Sequence, residues 1–244
     1  MKKYGLIGYP LGHSFSKGYF TKKFADLSIT DAVYENFPLD SIEELQQVLD
    51  FQPELRGLNV TIPYKEEVIA YLHEQSPEVK EINACNCITV RDGKLTGYNT
   101  DYIGFKNSLL VKLKPHHTNA LILGWGGASK AVAYALKTLG INYLIVSRRS
   151  TLPLSISYEQ LTAEIISQHQ LIVNCTPIGM HPSIEQAPSI PYQFITDKHF
   201  LFDLIYNPAQ TMFLQLGEER GATIENGMDM LALQAEESWR IWNS

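Results

Sequence analysis

The sequence predicts an α/β fold of two domains, and three observations predict it. Short apolar runs alternate with helical patterns along most of the 244 residues, which indicates strands joined by helices in parallel sheets. A glycine-rich loop arrives only at residue 124, so about 100 residues precede it and need a core of their own. The last pattern, at residues 228–242, is helical. We therefore predict one domain at residues 1–101, completed by residues 228–244, and a second at residues 102–227.

In the first domain, strands and helices are expected to alternate before a final hairpin. Asp92-Gly93 is the strongest short turn signal and predicts that hairpin between the last two strands. Ser41, followed three residues later by Glu44, is typical of a capping box that begins a helix. The predicted strands are residues 4–7, 32–37, 55–61, 85–91 and 94–98, the last two forming the hairpin, and the predicted helices are residues 17–26, 41–51 and 65–74.

In the second domain, a buried strand at residues 120–123 leads into the glycine loop and a helix. Gly140 follows the last apolar residue of that helix, which is the position where glycine commonly ends one. Further strands are predicted at residues 143–147, 171–175 and 200–204. The helix at residues 228–242 carries Trp239 and Trp242, which we expect to pack against the first domain.

Composition and charge exclude several classes of protein. The chain is 45% hydrophobic and 19% charged, as in ordinary globular proteins, and its net charge of −6 argues against binding nucleic acid through a basic surface. No apolar run approaches the roughly 18 residues of a membrane span, and the N-terminal run is too short for a signal peptide. We expect a cytoplasmic protein that contacts neither membrane nor nucleic acid. A monomer is the default, with a dimer left open.

The three cysteines give no sign of a disulfide framework or a metal site. An odd number without regular spacing argues against a stapled extracellular domain. Cys85 and Cys87 are close in sequence, but no nearby His or Cys completes a zinc set. We expect no metal, and small strand residues are the simpler interpretation of this pair.

Residues 124–129, Gly-Trp-Gly-Gly-Ala-Ser, follow a strand and open a helix, as a dinucleotide-binding fingerprint does. Gly124 allows the tight turn, Gly126 lets the backbone approach a pyrophosphate, and Ser129 takes the position that needs a small residue. Phosphates would meet the first N–H groups of the helix at Gly127 and Ala128. The second domain is therefore predicted to be a Rossmann-type domain, against the simpler alternative of a glycine-rich turn.

The end of the next strand indicates which dinucleotide is bound. An NAD site has an acidic residue there, whereas this chain has Ser147, Arg148 and Arg149. Guanidinium groups can hold the 2′-phosphate of NADP through charged hydrogen bonds. We predict NADP as the cofactor, with a solvated basic pair as the alternative.

Two further stretches carry polar residues that are suited to catalysis. Asn59, Thr61 and Lys65 follow the third strand, and Asp101 lies where the first domain ends. A lysine and an aspartate converging on a hydroxyl would form a proton-transfer pair for carbonyl–alcohol chemistry. Taken alone, Thr61 as a helix cap and Lys65 as a surface lysine are the favoured interpretation, and an N-cap is the simpler interpretation of Asp101.

Ser14 and Ser16 stand just after the first strand, in the sequence GHSFSK. If this stretch is extended, side chains two apart share a face and both hydroxyls can reach one carboxylate. If a helix starts here, the serines are caps, and His13 beside them is a turn residue.

These segments together resemble the shikimate dehydrogenase family over essentially the whole chain. The segments NVTIPYK and NTD are the specific ones, because glycine loops occur in many families. The segments that match, in the family's order, are GHSFSK, NVTIPYK, ACN, GYNTD, GWGGAS, SRR, NCTPIGM, YNPAQTMFL and GMDMLALQAEESW. The resemblance implies NADPH-dependent, reversible reduction of 3-dehydroshikimate to shikimate. Relatives that also oxidise quinate, and an NADP-binding regulatory module without catalysis, are the alternatives.

The resemblance also implies roles for individual residues. Lys65 and Asp101 match the catalytic pair, although the sequence does not decide whether Lys65 donates the proton or mainly binds substrate. The matched substrate residues are Ser14, Ser16, Asn59, Thr61, Asn86, Tyr206 and Gln234, and the matched cofactor residues are Gly124, Gly126, Gly127, Ala128, Ser129, Ser147, Arg148, Arg149, Thr176 and Gly227. The chain departs from the family at Ser147 and Arg149, which replace Asn and Thr, and at Leu152, which replaces a downstream arginine.

Overall fold

The computed structural model describes residues 1–12, 14–148 and 153–244, which divide into two compact units. One unit contains Met1–Thr100 and Gln234–Ser244, and the other contains Asp101–Leu233. Both are α/β units, as the sequence predicts. Within the described ranges, no helix is long and apolar enough to cross a membrane.

The first unit is built on a six-stranded sheet of order β2-β1-β3-β5-β6-β4. Its first three strands are parallel, whereas β5 runs antiparallel to both β3 and β6. The strands are β1 Lys2–Gly8, β2 Ala32–Pro38, β3 Leu55–Val60, β4 Glu74–Gln75, β5 Cys87–Arg91 and β6 Lys94–Tyr98. The helices are α1 Phe15–Asp26, α2 Leu45–Phe51 and α3 Pro77–Ile82, with 3-10 turns at Ile42–Glu44 and Glu67–Tyr71.

The predicted hairpin is present between β5 and β6, with Arg91 opposite Lys94. Asp92 and Gly93 both have positive φ angles, of 50° and 73°, as a two-residue turn of this kind requires. Because this hairpin adds antiparallel strands beside β3, the first sheet is mixed rather than wholly parallel.

The helix predicted at residues 65–74 is wrong. The chain instead forms a 3-10 helix at Glu67–Tyr71 and then the short strand β4. The main-chain N–H groups of His73 and Ser76 donate to the carbonyls of Leu95 and Gly97. The free edge of β6 therefore takes up this segment, a partner that a local sequence pattern does not reveal.

The capping box predicted at Ser41 is also displaced. The Ser41 hydroxyl accepts from the N–H of Glu43, and the Glu44 carboxylate accepts from the N–H of Asp40. In each bond the N–H group belongs to the residue before the one that a capping box would use, because the helix opens with a 3-10 turn.

The second unit has a six-stranded sheet of order β12-β11-β10-β7-β8-β9, in which every adjacent pair is parallel. Gly140 has a positive φ of 70° just after α5, so it ends that helix as predicted. The strands are β7 Asn119–Leu123, β8 Asn142–Val146, β9 Ser155–Ile156, β10 Leu171–Asn174, β11 Phe200–Asp203 and β12 Thr223–Glu225. The helices are α4 Asp101–Leu110, α5 Gly127–Thr138, α6 Ala163–Gln168, α7 Met212–Glu218 and α8 Met228–Trp242.

The last turns of α8 complete the aromatic core of the first unit. Trp239 and Trp242 pack against Tyr4, with ring centroids 5.2 and 4.9 Å away. The Trp242 indole donates to the carbonyl of Ile88 at 3.0 Å. Gly57 faces the same indole so closely that a Cβ there would collide with it. The C-terminal residues are thus a structural part of the first unit.

Candidate active site

The two serines of the first loop occupy the start of α1. Ser14 is the N-cap, and its Oγ accepts from the N–H of Lys17 at 3.3 Å. Ser16 is the second residue of the helix and half-buried. The helix begins at Phe15, two residues before the predicted start, so the stretch is not extended. Ser14 serves as a cap, and His13 lies outside the described residues.

A cluster of buried amide and hydroxyl groups lies at one end of the first sheet. The N–H of Thr100 donates to Asn86 Oδ1 at 2.6 Å, and Asn86 Nδ2 donates to Thr100 Oγ1 at 3.0 Å. Gln234 Oε1 lies 3.5 Å from Asn86 Nδ2 and 3.4 Å from Thr100 Oγ1. Asn59 Nδ2 donates to the carbonyl of Asn86 at 3.2 Å. The structure thus brings together Asn59, Asn86 and Gln234, all predicted site residues from distant parts of the chain.

The segment between β3 and the 3-10 helix presents Thr61 and Lys65. The N–H of Thr61 donates to the carbonyl of Ile7, and its own carbonyl accepts from Tyr64. The carbonyl of Lys65 accepts from the N–H of Cys85 at 2.7 Å, which fixes Lys65 beside the residue that precedes Asn86. Lys65 is half-buried, on an irregular turn rather than a helix.

Asp101 is the first residue of α4, and only 7% of it is exposed. It directly follows Thr100, whose backbone and side chain are both bound to Asn86. This contact fixes the main chain immediately before Asp101. Lys65 belongs to the first unit and Asp101 opens the second.

The glycine loop joins β7 to α5, as the sequence predicts. Gly124 has a positive φ of 88°, and a Cβ there would lie 2.7 Å from Thr176 Cγ2, so only glycine fits. Gly126 differs, because a Cβ there would meet no atom of residues 1–12, 14–148 or 153–244 within 4 Å. The Ser129 hydroxyl accepts from the N–H of Gly126 at 2.6 Å and donates to its carbonyl at 2.8 Å, which ties the loop to the first turn of α5. Gly127 and Ala128 begin that helix.

A cavity of about 1040 Å³ opens against this loop within the second unit. Gly124 and Gly126 line one part of it, and Ser147, Arg148 and Thr176 line others. The N–H of Ser147 donates to the carbonyl of Ile156 in the neighbouring strand, which holds the end of β8 in place. Arg148 therefore stands at the cavity where the sequence predicts a 2′-phosphate, whereas Arg149 and Leu152 lie outside the described residues.

Thr176 is held by a buried network behind the cavity. Its N–H and hydroxyl both donate to Asn174 Oδ1, at 3.0 and 2.7 Å. Asn174 Nδ2 in turn donates to Asp203 Oδ1 at 3.0 Å, and Thr211 donates to Asp203 Oδ2 at 2.6 Å. Burial raises the pKa of Asp203 to about 6, although its hydrogen bonds act in the opposite direction. Sequence reasoning missed Asn174 and Asp203, which position a predicted cofactor residue.

Tyr206 and Gly227 are linked through the main chain. The N–H of Gly227 donates to the carbonyl of Ile205 at 3.1 Å, and a Cβ on Gly227 would collide with the carbonyl of Leu204. Glycine at position 227 therefore lets the start of α8 approach the loop that carries Tyr206. Asp203 also accepts from the N–H of Ile205 at 3.0 Å, so the buried carboxylate fixes this loop as well.

Tyr158 is a cavity residue that the sequence did not indicate. It opens the 3-10 helix Tyr158–Gln160 after β9, and its buried hydroxyl has no hydrogen-bond partner within the part of the chain that the structure describes. Burial raises its pKa to about 12, with Arg148 acting in the opposite direction. Buried polar groups normally have partners. A hydroxyl without a partner among the described residues, an open space at Gly126 and a cation at Arg148 together fit a dinucleotide that carries a phosphate on its ribose.

Of the three cysteines, Cys175 lines the cavity of the second unit, whereas Cys85 and Cys87 belong to the first unit. Cys85 and Cys87 are buried, and the Cys85 thiol donates to the carbonyl of Cys87 at 3.3 Å. Among residues 1–12, 14–148 and 153–244, no three His, Cys, Asp or Glu side chains are grouped to hold a metal ion.

The second unit has a parallel sheet with a glycine loop, a cavity at the strand ends and Arg148 after β8. These features define a dinucleotide-binding oxidoreductase of two α/β units. A profile of the shikimate dehydrogenase substrate binding domain matches residues 6–88. The chain is 36% identical to a shikimate dehydrogenase (NADP(+)) of Caldicellulosiruptor saccharolyticus over 259 residues, covering 99% of this chain and 92% of the relative. The chain belongs to the shikimate dehydrogenase family.

Solved structures agree with this assignment. A shikimate 5-dehydrogenase from Thermus thermophilus, in complex with NADP(H) and shikimate, superimposes with a TM-score of 0.88 at 30% identity, covering 99% of this chain and 93% of that one. A quinate dehydrogenase from Corynebacterium glutamicum, in complex with NAD, gives the same TM-score at 25% identity, with 99% and 93% covered. The fold is thus common to enzymes named for two related substrates.

Proposed function

We propose that this chain is an NADP-dependent shikimate dehydrogenase, which reversibly reduces 3-dehydroshikimate to shikimate in the biosynthesis of chorismate and the aromatic amino acids. The proposal rests on the cavity of the second unit, which both Arg148 and Gly126 line. Beside Gly126 this cavity leaves room for a phosphate. That arrangement suits NADP rather than NAD, because a guanidinium pairs with the 2′-phosphate. Membership of the family supports the choice of substrate.

The buried polar groups of the first unit suit a small ring with several hydroxyls. Asn86 and Gln234 are neutral and buried, and each offers both donors and acceptors to hydroxyl groups. We assign the ring to these residues with Thr61. Family membership supports assigning the carboxylate to Ser14 and Ser16, because the Ser14 oxygen that caps α1 still has its own proton to donate. Asn59 supports them from behind. Tyr206 is assigned to substrate contact from the second unit.

Lys65 and Asp101 are the proposed catalytic pair. NADPH, when bound, supplies the hydride, so the protein has to manage the charge on the ketone oxygen. A protonated Lys65 would stabilise the negative charge that grows there and donate the proton. Asp101 would accept hydrogen bonds from the ammonium group and orient it. In the oxidation direction the same lysine would act as a base, which a neutral amine does best.

Steady-state kinetics with two substrates and two cofactors test the proposal. We expect the highest kcat/KM for shikimate with NADP, with lower values for quinate and for NAD. Preference for quinate would assign the chain to the related activity. Tight NADP binding without turnover of either acid would favour a regulatory module instead.

We also propose a cytoplasmic monomer in which the small molecules are the only obligatory partners. A single chain carries both the polar cluster and the cofactor cavity, so catalysis needs no second subunit to supply these groups. Size-exclusion chromatography with light scattering should give a mass near 27.6 kDa. A mass of twice that value would show a dimer.

A further inference from the structure

Two buried hydroxyls with no assigned role bind the same side chain from opposite directions. Tyr34 lies in β2 and Ser238 in α8, and both contact the amide of Asn59 at the end of β3. Tyr34 is 2% exposed, Ser238 is fully buried and Asn59 is 4% exposed. A buried polar group persists in a fold when its bonds are satisfied, so the bonds of each group identify what it holds in place.

The hydrogen bonds leave the Asn59 amide one orientation. The Tyr34 hydroxyl donates to Asn59 Oδ1 at 2.8 Å. Asn59 Nδ2 donates to Ser238 Oγ at 2.9 Å and to the carbonyl of Asn86 at 3.2 Å. The amide thus uses both its N–H groups and its oxygen. Rotating it by 180° would place Oδ1 against the carbonyl oxygen of Asn86, so that two acceptors would face each other.

Ser238 extends the network to the proposed substrate cluster. Its hydroxyl donates to the carbonyl of Gln234, one turn earlier in α8, at 2.9 Å. Ser238 Oγ also lies 3.2 Å from Thr100 Oγ1. One serine therefore contacts the residue before Asp101 and the main chain of Gln234.

Tyr34 extends the network toward the other end of the site. Burial raises the pKa of Tyr34 well above its usual value, and the nearby Ser16 side chain acts in the opposite direction. The hydroxyl therefore keeps its proton and remains the donor that Asn59 requires. Its ring is stacked on Phe20, with centroids 4.6 Å apart, so the hydroxyl is held by rigid aromatic packing.

We propose that Tyr34 and Ser238 are positioning residues for the substrate, acting through Asn59. Together the three side chains are bonded to Asn86 and Gln234, at the proposed hydroxyl end, and they place the Tyr34 hydroxyl near Ser16, at the proposed carboxylate end. They set the spacing between the two ends of the site before substrate binds. This assignment rests on the proposed function, and the residues themselves make no contact with the reacting atoms.

Single and double variants test the assignment. Tyr34→Phe keeps the ring and removes one hydroxyl, and Ser238→Ala does the same in α8. We expect each to raise the shikimate KM about tenfold, the effect of losing about one hydrogen bond, while the Kd for NADP changes less than twofold. Because both act through Asn59, the double variant should raise KM by much less than the product of the two single effects.

The matched control is Ser108→Ala. Ser108 is another buried helix serine, 2% exposed, whose hydroxyl donates to a carbonyl of its own helix, that of Phe105, at 3.0 Å. It removes a comparable buried hydroxyl outside the network, so we expect a shikimate KM near that of the wild type. NADP affinity and thermal unfolding identify any variant that has lost its fold. If Ser238→Ala has lost its fold, the KM of Tyr34→Phe, which preserves packing, tests the positioning role.

The outcomes separate this assignment from the proposed function. Wild-type turnover of shikimate, with KM values in the variants no higher than in Ser108→Ala, would overturn the positioning role alone. Effects of the two variants that multiply in the double variant would also overturn it. The proposed function is tested with the wild type alone, and absence of wild-type turnover would overturn it.

Discussion

The variant Gly126→Ala tests separately if a glycine at this position is needed for stability and if it is needed for NADP binding. A Cβ on Gly126 would have no neighbour within 4 Å among the described residues, and the φ of −170° at Gly126 is extended backbone that any residue adopts. Gly126→Ala should therefore fold as the wild type does. We expect its free energy of unfolding to change by less than about 0.5 kcal/mol.

The same methyl group would stand where a pyrophosphate has to approach the start of α5. Displacing a phosphate from the backbone N–H groups removes at least one charge-assisted hydrogen bond, worth about 1.5–3 kcal/mol. That loss corresponds to a Kd for NADP raised about 10- to 100-fold. Shikimate binding should be unaffected, because the proposed substrate residues lie elsewhere.

Gly124→Ala is the comparison variant, because we expect it to lower stability where Gly126→Ala does not. Its positive φ of 88° and the approach of a Cβ to Thr176 Cγ2, at 2.7 Å, should cost at least about 1–2 kcal/mol of stability. Calorimetric titration with NADP and thermal unfolding of both variants form the assay. Gly126→Ala with wild-type stability and wild-type NADP affinity would refute the reasoning, since the cofactor would not occupy the space beside this glycine.

Three further predictions follow from the site. Lys65→Ala should lower kcat about 100-fold or more while NADP still binds, as for loss of a general acid, and near-normal turnover in stopped assays would remove Lys65 from the mechanism. Arg148→Ala should raise the Kd for NADPH at least about tenfold but barely change that for NADH, and equal losses in fluorescence titrations would contradict the 2′-phosphate assignment. Asp203 has a folded pKa of about 6 against 3.8 for the ordinary group, so the folded protein binds this proton more tightly than the unfolded chain. Its contribution to stability is thus present at low pH and lost as pH rises from about 4 to 6, by up to about 3 kcal/mol. Asp203→Asn should gain stability relative to the wild type over that range in denaturant titrations, and a difference independent of pH would argue against a buried carboxylate that titrates there.

The sequence predicted those features that depend on neighbouring residues. The turn at Asp92-Gly93 and the glycine loop after β7 follow from backbone conformations that few residues adopt, so their positions are visible in a short window. The helix predicted at residues 65–74 failed because the edge of β6, reached through the bonds to Leu95 and Gly97, competes with local helix formation.

The parts of the site that sequence reasoning missed depend on contacts between distant residues. Tyr34 and Ser238 are 204 positions apart, and only the fold shows that both bind Asn59. Asp203 reads as the end of an apolar strand, and its effect on Thr176 passes through Asn174. In the sequence, Tyr158 resembles any aromatic residue near an edge strand. Only the structure shows that its buried hydroxyl lies at the cavity without a partner in the part of the chain that is described.

The packing of α8 has a consequence for the order in which the chain can fold. The first unit includes Met1–Thr100 but also needs Gln234–Ser244, which a ribosome makes only after the whole second unit. Until Trp242 arrives, the surface beside Gly57 lacks the indole that covers it, and the Asn59 amide lacks the Ser238 hydroxyl. The portion of the chain made first therefore reaches its final form only once residues 234–244 have been made.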